Sequence, residues 1–128
     1  MNEEVHLHLE RSDDCIKDAE YLIAGGRNFA AVGRGYYAMF HAATAALLNK
    51  DIVRHSHHGI ISTFGREFVK TGQIDPKFHK YFNEAFDLRQ ESDYQPLVDI
   101  TQGQANKVID RAKEFLEICK TLCKTPEV

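Results

Sequence analysis

Residues 29–48 read FAAVGRGYYAMFHAATAALL, and this stretch decides the fold. Apolar or small side chains occupy nearly every position of a helix drawn through it, and a helix apolar on all sides is normally central, touched by neighbours all round. Asn28 precedes the run as a candidate N-cap, so a helix is predicted from about residue 28 to residue 49. Two polar residues interrupt it, Arg34 and His41.

Working outward, residues 3–24 carry Val5, Leu9, Ile16, Ala19 and Ile23 as an apolar stripe at helical spacing. Glu3 and Glu4 suit the start of that helix and Gly25-Gly26 its stop. After the loop DIVRHSHH a third helix is predicted to start behind Ser56, to turn Ile60, Ile61, Phe64 and Phe68 inward, and to end before Gly72. Asp75-Pro76 reads as an N-cap and first helical residue of a fourth helix, with Phe78, Phe82 and Ala85 on one face and an end near Glu91, before a loop SDYQPLVDI. Thr101 with Gln104 is a capping box for a fifth, striped by Ala105, Val108, Ile109, Ala112, Leu116, Cys119 and Cys123. No segment alternates at period two, so the prediction is an all-α, up-and-down bundle of about five helices within one domain, residues 1–128.

The composition fits: 43 % hydrophobic and 27 % charged residues form an ordinary globular balance, and only 3 prolines and 8 glycines suit long helices. A net charge of −3 does not advertise nucleic-acid binding by the surface as a whole, and the average charge does not support a local basic cleft either. The polar, acidic start carries no secretory signal pattern, and no apolar run is long enough for a membrane span. With an odd number of cysteines, Cys15, Cys119 and Cys123, reduced thiols in the cytoplasm are expected.

Arg34 and His41 lie seven residues apart, about two helical turns, so both project from one face. Ala38, Ala42 and Ala45 are placed on the same face, where small residues would admit a symmetry-related helix. A two-fold axis there would bring Arg34 and His41 of two copies into one cleft. Histidine supplies an acid or base near neutral pH, and arginine a fixed charge for a phosphate. Together they suit RNA cleavage in which the 2′-hydroxyl attacks its own phosphate. The spacing alone is weak, since a chain with this many arginines and histidines contains about one such pair by chance. A structural arginine and a hydrogen-bonded histidine at an interface would look the same. His55, His57 and His58 are read as a solvated loop rather than a metal site, because no second ligand segment accompanies them. Arg89 is expected to pair with Asp93 four residues on and anchor the segment that follows.

A further pattern runs through the chain in order: R-x-YYAMFHAA at Arg34–Ala43, His58-Gly59-Ile60-Ile61, Arg89 with Asp93-Tyr94, and an alanine-rich helix from Ala105 to Phe115. In this the chain resembles the HEPN family of small helical bundles, often encoded beside a minimal nucleotidyltransferase. The resemblance implies a homodimer, metal-independent ribonuclease activity as a toxin held in check by a nucleotidyltransferase, and Arg34 and His41 as the catalytic residues. Tyr37, His58 and Arg89 are its candidate substrate-binding residues, and no metal or cofactor is expected. Two positions depart from the pattern. Members that cut RNA commonly carry a polar residue after the arginine, where this chain has Gly35; that favours the alternative of an inactive module binding nucleotide or RNA, or serving as partner subunit of a nucleotidyltransferase. Some toxin members carry a partner-modified tyrosine where this chain has Ala43.

Overall fold

The structure, a computed structural model, describes residues 2–94 and 99–124. Helix α1 spans Glu3–Ala24, α2 Asn28–Leu48, α3 His57–Phe64, α4 Lys77–Tyr94 and α5 Gln102–Lys124. A π-helical turn, Gly65–Val69, continues α3. Among the described residues there is no strand, so the protein is an all-α bundle of five helices. No described helix is long and apolar enough to cross a membrane.

The capping residues act largely as their chemistry dictates. Asn2 Oδ1 accepts from Val5 N–H at 2.8 Å and Ser56 Oγ from Gly59 N–H at 2.9 Å. In the capping box, Thr101 Oγ1 accepts from Gln104 N–H at 3.1 Å while Gln104 Oε1 accepts from Thr101 N–H at 2.9 Å. Two boundaries and the pitch of one helix differ from the sequence expectation. Asn28 is not a cap: Arg27 holds that position without a side-chain bond, and the Asn28 amide instead donates to the Ile100 carbonyl at 3.2 Å, a long-range tie from the start of α2 to the entry of α5. The third helix widens at Gly65, where the His79 ring lies over the glycine and its Nε2 donates to the Ile61 carbonyl at 3.1 Å. The fourth helix runs through Ser92-Asp93-Tyr94, because Ser92 is buried, its Oγ donates to the Arg89 carbonyl, and Arg89 pairs with Asp93 along the helix at 3.3 Å. Residues 95–98 of the expected loop lie outside the described residues.

Cross-links fix the helix directions. His8, Ser12 and Cys15 of α1 meet His41, Ala38 and Arg34 of α2 in that order, so the two helices are antiparallel. Gly35 lies against Val108 as Asn28 lies against Ile100, so α5 runs with α2. Phe78 and Phe82 of α4 pack on Phe115 of α5, while Glu84 pairs with Arg111, so α4 runs against α5. The course of α1, α2, α4 and α5 is up-and-down, with α3 between α2 and α4. As expected of its composition, α2 touches α1, α3, α4 and α5. The apolar stripes predicted for α1, α3, α4 and α5 are buried, Ile23 excepted, which is partly buried; of the phenylalanines expected in the core, Phe29 is exposed and Phe40 partly buried.

In an open square bundle the parallel pair α2 and α5 would sit apart across the diagonal; here they touch at Gly35. A Cβ placed there would stand 2.7 Å from Val108 Cγ1. Valine in a helix cannot readily rotate away, since its χ1 has one strongly preferred setting. Gly35→Ala should therefore destabilise the fold by about 1–2 kcal/mol, because overpacking of roughly 1–3 kcal/mol outweighs alanine's better helix propensity. Urea unfolding checks this. The double variant Gly35→Ala/Val108→Ala should be more stable than the sum of the two single losses predicts.

Candidate functional site

With four helices packed on it, α2 keeps one strip only half-buried: Arg34, Tyr37, Phe40, His41, Thr44 and Leu48, at spacings of three and four. The sequence placed Ala38, Ala42 and Ala45 on that open face, and this is corrected. All three are fully buried within the single chain. Ser12 Oγ donates to the Ala38 carbonyl at 2.7 Å, so the small residues admit α1 rather than a symmetry mate. Arg34 and His41 stand at the edge of the strip, beside α1.

His41 faces His8. Their Nδ1 atoms lie 3.0 Å apart, with ring centroids separated by 5.2 Å and planes 28° from parallel. The nitrogen contact plus the two nitrogen-to-centre radii accounts for nearly all of that separation, so the rings meet edge to edge along a hydrogen bond. Burial, then the neighbouring His8, Arg11 and Arg34, push the His41 imidazole down to about 4. Burial likewise lowers His8, with Glu4 opposing and Arg11 reinforcing the shift. Both rings are neutral at pH 7. His8 was not anticipated from sequence; the signal lay in the short α1–α2 turn, which sets position 8 opposite position 41.

Arg34 donates through Nη2 to Cys15 Sγ at 2.9 Å, and its buried Nε has no acceptor. Sulfur is a weak acceptor, and no described carboxylate pairs with this guanidinium. Its Cζ stands 5.7 Å from the centre of the Tyr37 ring, and Arg89 Cζ stands 5.0 Å from the same ring. Tyr37 thus lies between two cations, each within cation–π reach.

The other flank of the strip is aromatic. Tyr36 is fully buried and its hydroxyl is hydrogen-bonded with His57 Nδ1 at 2.6 Å. Burial raises the phenol, so it keeps its proton. Burial, then Arg89 and His58, lower His57. The predicted Arg89–Asp93 pair is present, and Arg89 also lies 5.6 Å from the Tyr36 ring centre. His58 is exposed, with only its edge on Phe86. The structure therefore brings Arg34, Tyr37, His41 and Arg89 to one strip and seats His57, rather than His58, in its aromatic wall. The reason is local: Ser56 caps α3, so His57 is its first residue and turns inward.

The remaining titratable groups stay apart. Among the described residues no three His, Cys, Asp or Glu side chains gather as a metal ion would require. Cys15, Cys119 and Cys123 are free and buried, and burial pushes the Cys123 thiol up to about 11. Ala43 is fully buried, so a group at that position faces the core.

The model of the HEPN domain matches residues 5–122 of this chain. A UPF0332 protein of Thermotoga maritima is 34 % identical over 125 residues, covering 95 % of each chain. Two proteins of Methanocaldococcus jannaschii named as candidate toxins are also similar. MJ0142 is 32 % identical, covering 91 % of this chain and 80 % of its own; MJ0605 is 31 % identical, covering 97 % and 92 %.

The histidine shifts have a consequence for stability. His41 is lowered from 6.5 to about 4 in the folded chain, so the unfolded chain binds more protons between those values. Its contribution is complete above pH 6.5 and is lost as pH falls toward 4. Because the ring is only half-buried, solvent screening reduces the loss to about 1 kcal/mol. Unfolding free energies at pH 7.0 and 4.5 should differ by that much more in the wild type than in His41→Gln.

Proposed function

The chain belongs to the HEPN domain family, and from that premise we propose that it is a toxin-like ribonuclease that cuts RNA with Arg34 and His41 and without a metal ion. The observation that carries this reading is the state of Arg34: a half-buried guanidinium with no carboxylate partner, one donor on a thiol and one on nothing, beside a neutral imidazole. Burying a cation without a counter-ion is costly, and a phosphodiester would supply the missing anion. Such a phosphate would offset the charges of Arg11 and Arg34, which add to burial and His8 in holding His41 low, and so move it toward the range in which a histidine works as a base. Arg34 would stabilise the negative charge that builds on the phosphate. Tyr37 and Arg89 offer a stacking ring and a second cation along the strip.

The relatives named as candidate toxins favour a toxin-like role; a nucleotidyltransferase as the neutralising partner and RNA in the cytoplasm as the target complete the proposal from the family resemblance. The half-exposed Tyr37, Phe40 and Leu48 beside Arg34 and His41 favour a homodimer formed across this strip, with both copies contributing to one cleft. The alternative of an inactive binding module rested on Gly35. That position points into α5 at Val108, where a polar side chain would not reach the cleft, so packing accounts for the glycine.

Purified protein incubated with labelled RNA in chelator should leave 2′,3′-cyclic phosphate ends. His41→Ala should cut at least about 10²-fold more slowly, the usual scale of acid–base help. Arg34→Ala should lose a comparable amount, and Arg34→Lys should recover only part of it, because lysine lacks the planar fork. Cleavage abolished by chelator, or unchanged in His41→Ala, would leave the binding module as the better reading.

A further inference from the structure

We propose that the pocket where α1, the second half of α2 and the start of α3 meet is a binding site for a guanine base. The proposal rests in part on the ribonuclease reading above, which makes an RNA strand the first source of that base. The pocket has a volume of about 250 Å³. Its floor is apolar: Phe40 and Leu48 come from the open strip of α2, Ile52 from the loop after it and the buried Ile60 from α3. Two of its walls join it to the candidate site. The His8 ring is hydrogen-bonded to His41, and the Phe40 ring meets His41 nearly at right angles with centroids 5.9 Å apart. A planar base can thus lie on apolar side chains beside the residues proposed to cut. An apolar hollow with a few polar groups on it is the usual make-up of a small-ligand site.

The polar groups of the pocket select among bases. Glu4 lines it from α1 and Arg54 from the loop, both exposed. Neither is ion-paired among the described residues. Each can make two parallel hydrogen bonds. A carboxylate accepts two, and guanine alone of the four RNA bases offers the matching pair, N1–H and the 2-amino N–H. A guanidinium donates two, and guanine offers it the adjacent acceptors O6 and N7. One Arg54 Nη1 hydrogen goes to the Val53 carbonyl at 2.7 Å, which leaves Nη2 and the second Nη1 hydrogen for a ligand. Thr44 Oγ1 gives its hydrogen to the Phe40 carbonyl at 2.7 Å, so toward the pocket it can only accept. Adenine lacks N1–H and O6, and cytosine and uracil lack the O6–N7 pair. Guanine is therefore the base that satisfies both charged groups at once.

Methyl NMR signals of Leu48, Ile52 and Ile60 report on the pocket whether or not RNA is cut. Guanosine 5′-monophosphate should shift them at about a tenth of the concentration needed by the adenosine, cytidine or uridine monophosphate. Inosine 5′-monophosphate, which lacks only the 2-amino group, should bind the wild type about tenfold more weakly than the guanosine nucleotide. In Glu4→Gln the two should bind within a few-fold of each other, a result that a merely structural Glu4 would not give. Arg54→Lys, without the planar fork, should weaken guanosine binding and keep the wild-type ratio of guanosine to inosine. Circular dichroism checks the fold of both variants. Where the wild type cuts RNA, guanine should occupy one fixed position beside the mapped cuts, and Glu4→Gln should scatter them. Guanosine binding with cuts that ignore guanine would keep the pocket and make a free nucleotide the source of the base. Guanosine binding by a protein inert toward RNA would overturn the ribonuclease reading and leave the pocket standing. Equal shifts by all four nucleotides, or none, would overturn the proposal. Methyl shifts that follow protein dilution in place of nucleotide would overturn it in favour of a second copy of the chain.

Discussion

The contact between Gly35 and Val108 is the constraint on which the remaining geometry depends. It draws two parallel helices together across the middle of the bundle, and only a residue without a side chain permits the approach. Once α5 is seated there, α2 is enclosed by α1, α3, α4 and α5, and a single strip is left half-open. Every residue with a claim to chemistry lies on that strip or against it. The site is in this sense the remainder of the packing: it is where the most apolar helix of the chain could not be covered by its own neighbours.

What the strip contains is electrostatically unfinished. Several other cations among the described residues have carboxylates, as Arg111 has Glu84 and Lys113 has Glu20. Arg34 has a thiol and an aromatic ring instead. Burial is the main force that keeps the histidines around it neutral, and at His41 the charges of His8, Arg11 and Arg34 push the same way. The fold thus holds a cation without its anion and a set of imidazoles in their neutral form.

Most of the fold was legible because helical caps and stripes are local. The Thr101–Gln104 box, the Ser56 cap and the stripe of α5 are each read within a few residues and are all present. The errors arose where a distant partner outbid a local one. Asn28 gave up its capping role for a carbonyl 72 positions away, and the ring of His79 reached back to widen the turn at Gly65. The site was legible only in part for the same reason. Arg34 and His41 stand out as polar interruptions, but nothing within one helix tells which of two adjacent faces stays open, and Ala38, Ala42 and Ala45 were assigned to the wrong one. His8 and His57 become visible only when helix pairing is known.

The seat that α5 provides for α2 also bears on how the protein is made. A nascent chain that has emerged only through α4 carries the whole arginine–histidine segment, yet lacks Ala105, Val108, Ala112 and Phe115, which close the core against it. An α2 that is apolar all round has no stable place in such a fragment, and helices of a bundle this size fold as a unit. The strip therefore takes its shape only once α5 has left the ribosome.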